Sequence, residues 1–186
     1  MKNWLFGIAL GLTLVATASA QSADEREQDI MFAAHDAMSE QVDVWFHGTD
    51  FPRCIQLLYF QYEIDQHDYE LATNLGWLLE STDRHNEALA IYIRYRKDNL
   101  TDPDAALPEA QYYFMRKAYA KVPPLVEPAL AKNPHPNMYR ILAHSYEKMG
   151  MLGDCLRIWN KYLALNPSDL AAKKNRDRVK QKLEAA

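Results

Sequence analysis

Six histidines, two cysteines and 25 aspartates and glutamates are the groups in this 186-residue sequence that could carry chemistry. The histidines are His35, His47, His67, His85, His135 and His144. A helical metal site needs two imidazoles three or four residues apart on one face. No pair here has that spacing. There is no HExxH, no GxSxG nucleophile elbow, no GxxxxGK phosphate loop and no GxGxxG turn. The carboxylates are scattered over polar helical faces, with no pairing that forms an acid/base dyad. Asn99-Leu100-Thr101 fits a glycosylation acceptor, a short pattern that is common by chance. The reading from these residues is no catalytic, cofactor-binding or metal site, and no enzyme.

The elements must therefore be read for binding. Hydrophobic residues make up 48% and charged residues 25%, ordinary values for a globular fold. Six glycines and nine prolines exclude collagen-like and low-complexity classes. A net charge of −4 makes a poor electrostatic partner for nucleic acid, so none is expected.

The first twenty residues read as an export signal. Lys2 is a short positive start, and Trp4 to Val15 is an uncharged apolar run. Small residues at Ala18 and Ala20 fit a signal peptidase, with cleavage after Ala20. The run is short for a membrane span, which needs roughly 20 residues. An uncleaved anchor is the alternative, disfavoured by Asp24, Glu25 and Glu27 immediately after. The expectation is a signal peptide over 1–20, a helical domain over 21–186, export to periplasm or medium, and no stable span after cleavage.

Strand patterns are nearly absent and helical ones are everywhere. Ser22-Ala23-Asp24-Glu25 is a capping box, in which hydroxyl and carboxylate satisfy free amides at a helix start. Ile30, Ala34, Met38, Val42 and Trp45 follow on one stripe. Gly48-Thr49-Asp50 interrupts, Pro52 suits a first helical turn, and a second helical segment runs from Cys54 to Ile64. Then the pattern restarts at a fixed interval. Cys54, Ala88, Val122 and Cys155 are spaced 34, 34 and 33, as are Leu58, Tyr92, Val126 and Trp159. Gly76, Ala110 and Ala143 keep the same interval. A period of 33–34 with two helices per unit marks a helical solenoid, in which each pair completes its core on the next.

Tyr139 to Gly150 resembles the first helix of a tetratricopeptide repeat, with aromatic, Leu142, Ala143, Tyr146 and Gly150 in the family's places. Cys155, Trp159 and Asn166-Pro167 continue the likeness. Leu75, Gly76, Leu79, Ala88 and Tyr92 do the same from Tyr69 to Pro103. It is weaker over 36–68, where Thr49 and Cys54 replace the usual Gly and Ala, and weakest over 103–136. The resemblance implies an all-α helix-turn-helix solenoid of about four units, near 23–68, 69–103, 104–136 and 137–167, with a capping helix over 168–186. Gly76 and Ala143 then sit where helices cross at about 8 Å. Ala88 and Cys155 face them, and Tyr92 and Trp159 fill space between units. Ser168 reads as the cap of the last helix, with Lys173, Lys174, Arg176, Arg178, Lys180 and Lys182 facing outward.

Two local features complicate the picture. Pro123, Pro124 and Pro128 predict a short, kinked or late-starting second helix in the third unit. Cys54 and Cys155 occupy one seat three units apart, roughly 25 Å or more, against about 7 Å for a disulfide. Both read as reduced core thiols.

In this architecture the first helices line the concave side. Projection of the register places Asp43 and Phe46, then Thr73, Trp77 and Glu80, then Gln111 and Phe114, then Arg140, His144 and Glu147 along a partner groove. The family's clamp for chaperone tails is not reproduced. Asn74 fits it, but Ser39, Asp43, Asn137 and Ile141 do not. The expectation is a non-catalytic exported adaptor binding a protein or peptide segment. The alternative is a periplasmic binder of a small molecule or cell-wall polymer through Trp77, Phe114 and Tyr112.

Overall fold

The computed structural model describes residues 22–185, so the export signal lies outside the described residues. Among those residues there are nine α-helices and two 3-10 segments, with no strand. The chain divides into two units, one through Ala37 and one from Met38.

In the first unit the capping box forms as the sequence predicts. The Ser22 amide donates to Glu25 Oε2 at 2.8 Å, and the Glu25 amide donates to Ser22 Oγ at 3.1 Å. It opens α1 (Ala23–His47), on which Ile30 and Phe32 are exposed.

The second unit carries the stack. After the end of α1 come α2 (Phe51–Ile64), α3 (Tyr69–Ser81), α4 (His85–Asp98) and α5 (Leu107–Met115). Beyond them lie α6 (Val122–Val126), α7 (Pro136–Lys148), α8 (Leu152–Leu165) and α9 (Leu170–Glu184). The fold is all-α, a TPR-like helix-turn-helix solenoid.

The repeat is visible in the backbone itself. The amides of Asp50, Arg84, Ala118 and Met151 donate to the carbonyls of Trp45, Leu79, Tyr113 and Tyr146, at 2.8 to 2.9 Å. Each bond spans five residues and closes a helix in the Schellman manner. The residue before each donor is left-handed: Thr49, Asp83 and Lys117 at φ 60° and Gly150 at φ 77°. Only Gly150 takes that conformation without steric cost; a β-branched Thr49 pays most.

A second device joins one unit to the next. The Tyr95 hydroxyl donates to Asp102 at 2.8 Å, and that of Tyr162 to Asp169 at 2.9 Å. At the joint of α2 and α3 the same seat is Gln61, whose carbonyl accepts the Asp65 amide as those of Tyr95 and Tyr162 accept the amides of Asn99 and Asn166, and Asp68, seven residues on, caps α3. Asn99 and Asn166 add a side-chain bond to the carbonyls of Tyr95 and Tyr162. Asn99 is buried, and also reaches Gln66 O and His67. It is a structural joint, with its amide group turned inward.

The core falls into two clusters. One gathers Cys54, Leu58, Leu75, Ala88 and Tyr95; the other gathers Val126, Leu142, Ala143, Cys155 and Trp159. α5 serves both, Tyr112 joining the first and Ala110 the second. Cys54 and Cys155 are fully buried, free and in different clusters. Burial raises the Cys155 thiol to about 11, which keeps it protonated and unreactive at neutral pH.

The prolines of the third unit act as their chemistry requires. Its second helix is a 3-10 turn at Tyr119–Lys121, five α-helical residues, then a 3-10 run from Glu127 to Lys132. Tyr92 does what the register expects, meeting Tyr112 of the next repeat edge-on at 6.2 Å, and its ring also enters the crossing at Gly76, where the glycine leaves room for it. Two expectations need correction. Asp169, not Ser168, caps α9, accepting the Ala172 amide at 2.9 Å. Arg178 and Lys182 do not simply face water, since both bind Glu147 on α7.

Candidate functional site: a divided cleft on the first helices

The C-terminal part of α1 packs across α2 and α3 because Val42 and Trp45 meet the first core cluster. That packing leaves the next face of the helix, Ser39, Asp43 and Phe46, beside the outer face of α3. A cleft of about 390 Å³ opens there, lined by these residues with Gln61, Asn74 and Trp77 among others. A second cleft, of about 510 Å³, lies between α3 and α5. Thr73, Trp77, Glu80, Gln111, Met115 and Arg116 are among its walls. Both volumes suit small-ligand or side-chain pockets.

Trp77 is the side chain common to the two clefts, and it remains 55% exposed. Phe46 lies 6.0 Å from it and 5.7 Å from Phe51, so the indole is buttressed from one side. Together with exposed Met115, these residues form an apolar line across the first three units. A large exposed aromatic set among hydrogen-bonding groups is the usual form of a binding anchor.

The charges differ between the clefts. Glu80 accepts from the Tyr92 hydroxyl at 2.9 Å and from Arg116 Nη1 at 2.8 Å. The same guanidinium lies 3.7 Å over the Tyr112 ring. The second cleft is therefore internally neutralised. Asp43 pairs with the imidazole of His47 at 3.3 Å and is largely exposed.

Six of the ten residues projected onto a groove thus meet in these clefts: Asp43, Phe46, Thr73, Trp77, Glu80 and Gln111. Phe114, Arg140, His144 and Glu147 line neither. Phe114 packs on Tyr119 at 5.5 Å and against the second core cluster. Arg140 donates to the Tyr162 hydroxyl and to Asp169. His144 sits edge-on to Trp159, and burial lowers its basicity. Sequence reasoning missed Ser39, Gln61, Met115 and Arg116 as lining groups. Ser39 is one turn before Asp43, and Arg116 one turn after Tyr112, so helical periodicity alone could have added them.

Glu147 belongs to the joint between α7 and α9. Its side chain is 12% exposed and takes bonds from both nitrogens of the Arg178 fork and from Lys182. These donors, Arg178 first, hold its carboxyl at about 2. A carboxyl depressed in the folded state stabilises fully above its unfolded value, near 4.3. That stability is lost as pH falls toward 2. Water and salt screen the pair, leaving about 1–2 kcal/mol. Urea midpoints between pH 6 and 2.5 should fall more steeply for the wild type than for Glu147→Gln. Parallel curves would show that the joint contributes nothing.

Among the described residues, no three His, Cys, Asp or Glu side chains are grouped to hold a metal. No described helix is long and apolar enough to cross a membrane.

The arrangement defines a TPR-like helical repeat protein with an open cleft on its first helices. Solved structures agree on the fold. A MamA RS-1 double mutant superposes with a TM-score of 0.63 at 14% identity, over 80% of this chain and 84% of the other. Two further MamA structures give 0.62 at 17% identity, over 77% and 84%, and 0.59 at 18% identity, over 80% and 87%. No protein-family model and no curated protein matches the chain.

Proposed function

We propose that the chain is a non-catalytic, exported scaffold that binds a protein or peptide segment across the divided cleft. The single observation that carries this reading is Trp77, exposed between two clefts and buttressed by Phe46. A helical-repeat fold supports it, since stacked first helices make a rigid surface whose preorganisation lowers the cost of binding. Export rests on the leader pattern of residues 1–20, which predicts a mature chain starting at Gln21.

The polymer-binding alternative needs a run of free aromatic faces. Tyr112 is covered by Arg116 and Phe114 is packed on Tyr119, which leaves Trp77 alone of its three.

The test is capture from envelope extract, followed by titration with the purified captured protein. Trp77→Ala should weaken affinity about tenfold or more, as loss of a central aromatic anchor does. Phe60→Ala removes an exposed ring that lines neither cleft and should leave affinity unchanged. Equal binding by wild type and Trp77→Ala would end the cleft reading. A secreted chain still carrying Lys2 would end the signal-cleavage reading.

A further inference from the structure

We infer that the cleft selects an extended peptide with two apolar side chains at positions i and i+2, flanked by a lysine or arginine. The inference rests on the peptide-binding reading above and names the chemistry of that partner.

The spacing comes from the partition. Trp77 is the wall shared by the two clefts, so a chain crossing its exposed edge leaves one side chain in each, the one on the α1 side lying beside Phe46. Carbon atoms touch at roughly 3.5–4.0 Å, so two groups straddling that edge stand about 7–8 Å apart. An extended chain rises roughly 3.3 Å per residue, and side chains two apart share a face about 6.7 Å apart. A helical segment places same-face residues three or four apart, and fits the partition less well.

The charge preference comes from the groups already paired. Glu80 and Arg116 satisfy one another in the larger cleft. Asp43 is the charged side chain lining the smaller one, and exposed Glu40 stands one turn before it on α1. A cation on the partner would meet these two carboxylates; an anion would meet repulsion. The remaining walls hydrogen-bond without charge. Ser39 and Asn74 stand at the smaller cleft, and Gln61 lines it with an amide oxygen that has no partner. These groups suit peptide N–H and C=O.

The test is selection of phage-displayed random twelve-residue peptides on the full chain, with Trp77→Ala as the counter-target. Enriched sequences should carry the i, i+2 apolar pair with Lys or Arg within two positions of one member. A synthetic peptide of that pattern should bind Asp43→Lys about tenfold more weakly, and an acidic counterpart should gain on that variant. Asp43 is exposed on a helix, so the substitution leaves the core intact. Peptides lost with Trp77→Ala but without basic preference, and indifferent to Asp43→Lys, would overturn this inference and leave the cleft reading standing. Peptides that bind Trp77→Ala equally, or no enrichment over it, would overturn both.

Discussion

Gly76→Ala is expected to destabilise the chain by about 2 kcal/mol, although alanine is the better helix former by about 1 kcal/mol. The reason is the crossing of α3 and α4. A Cβ on Gly76 would stand 2.2 Å from Tyr92 Cε1 and 2.4 Å from Cζ. The ring has little room to retreat. It is 5% exposed, its hydroxyl is held by Glu80, and Tyr112 meets it edge-on at 6.2 Å. Either the ring leaves its seat or the helices part, and overpacking of this kind costs about 1–3 kcal/mol, occasionally more. Here it exceeds the propensity gain. Urea unfolding measures the sign directly. A variant as stable as wild type would mean that the ring moves freely, and that the glycine is not what sets the approach. Adding Tyr92→Leu to Gly76→Ala should cost less than the sum of the two single changes.

Arg96→Ala is expected to cost about 3 kcal/mol. Glu109 is 3% exposed on α5, and Arg96 Nε on α4 donates to it at 2.6 Å. Removing the arginine strands a carboxylate away from water, which is the expensive way to break such a pair. The double change Arg96→Leu with Glu109→Leu should lie within about 1 kcal/mol of wild type, since it removes both charges and keeps apolar volume. The location amplifies the single change. α5 is the element shared by the two core clusters, so loosening it from α4 uncouples them. Unfolding of Arg96→Ala followed by tryptophan fluorescence and by far-ultraviolet dichroism should give two non-coincident transitions. A single coincident transition with a loss under about 1 kcal/mol would show that this pair does not tie the halves together.

These two sites show what a sequence of this kind reveals. The 33–34 interval placed Cys54, Ala88, Val122 and Cys155 in equivalent buried seats, and all four are fully buried. It also located the small residue at Gly76, because a crossing demands one. Tyr92 meets the next repeat as the interval implies, but its entry into the Gly76 crossing was not legible, since periodicity assigns a side to each residue but not the depth to which its ring reaches. Glu109 passed as a surface carboxylate because its partner lies in another helix. Glu147 was assigned to the groove for the same reason: Arg178 and Lys182 are 31 and 35 residues away. The prolines of the third unit were legible because their effect is local and covalent. The clefts were legible on α1, α3 and α5, where first helices stay open, and illegible on α7, where α9 takes up the charges. The tyrosine-to-aspartate bond could have been found. Tyr95 and Asp102, and again Tyr162 and Asp169, repeat a seven-residue spacing that attention to single helices overlooks.

Those bonds also govern which changes of chain length the architecture tolerates. The tyrosine ends one hairpin and the aspartate opens the next segment of the stack, so the seven-residue span measures the linker. One residue added between Tyr162 and Asp169 would carry the carboxylate off the hydroxyl, while its local cap on the Ala172 amide would travel with it. Duplication of a whole period carries the ruler along and leaves every latch intact. The chain is built to grow by complete hairpins and to resist single-residue drift at the seams. At the joint of α2 and α3 the distance is kept, from Gln61 to Asp68, and of these three seams it is the one where the hydroxyl is missing.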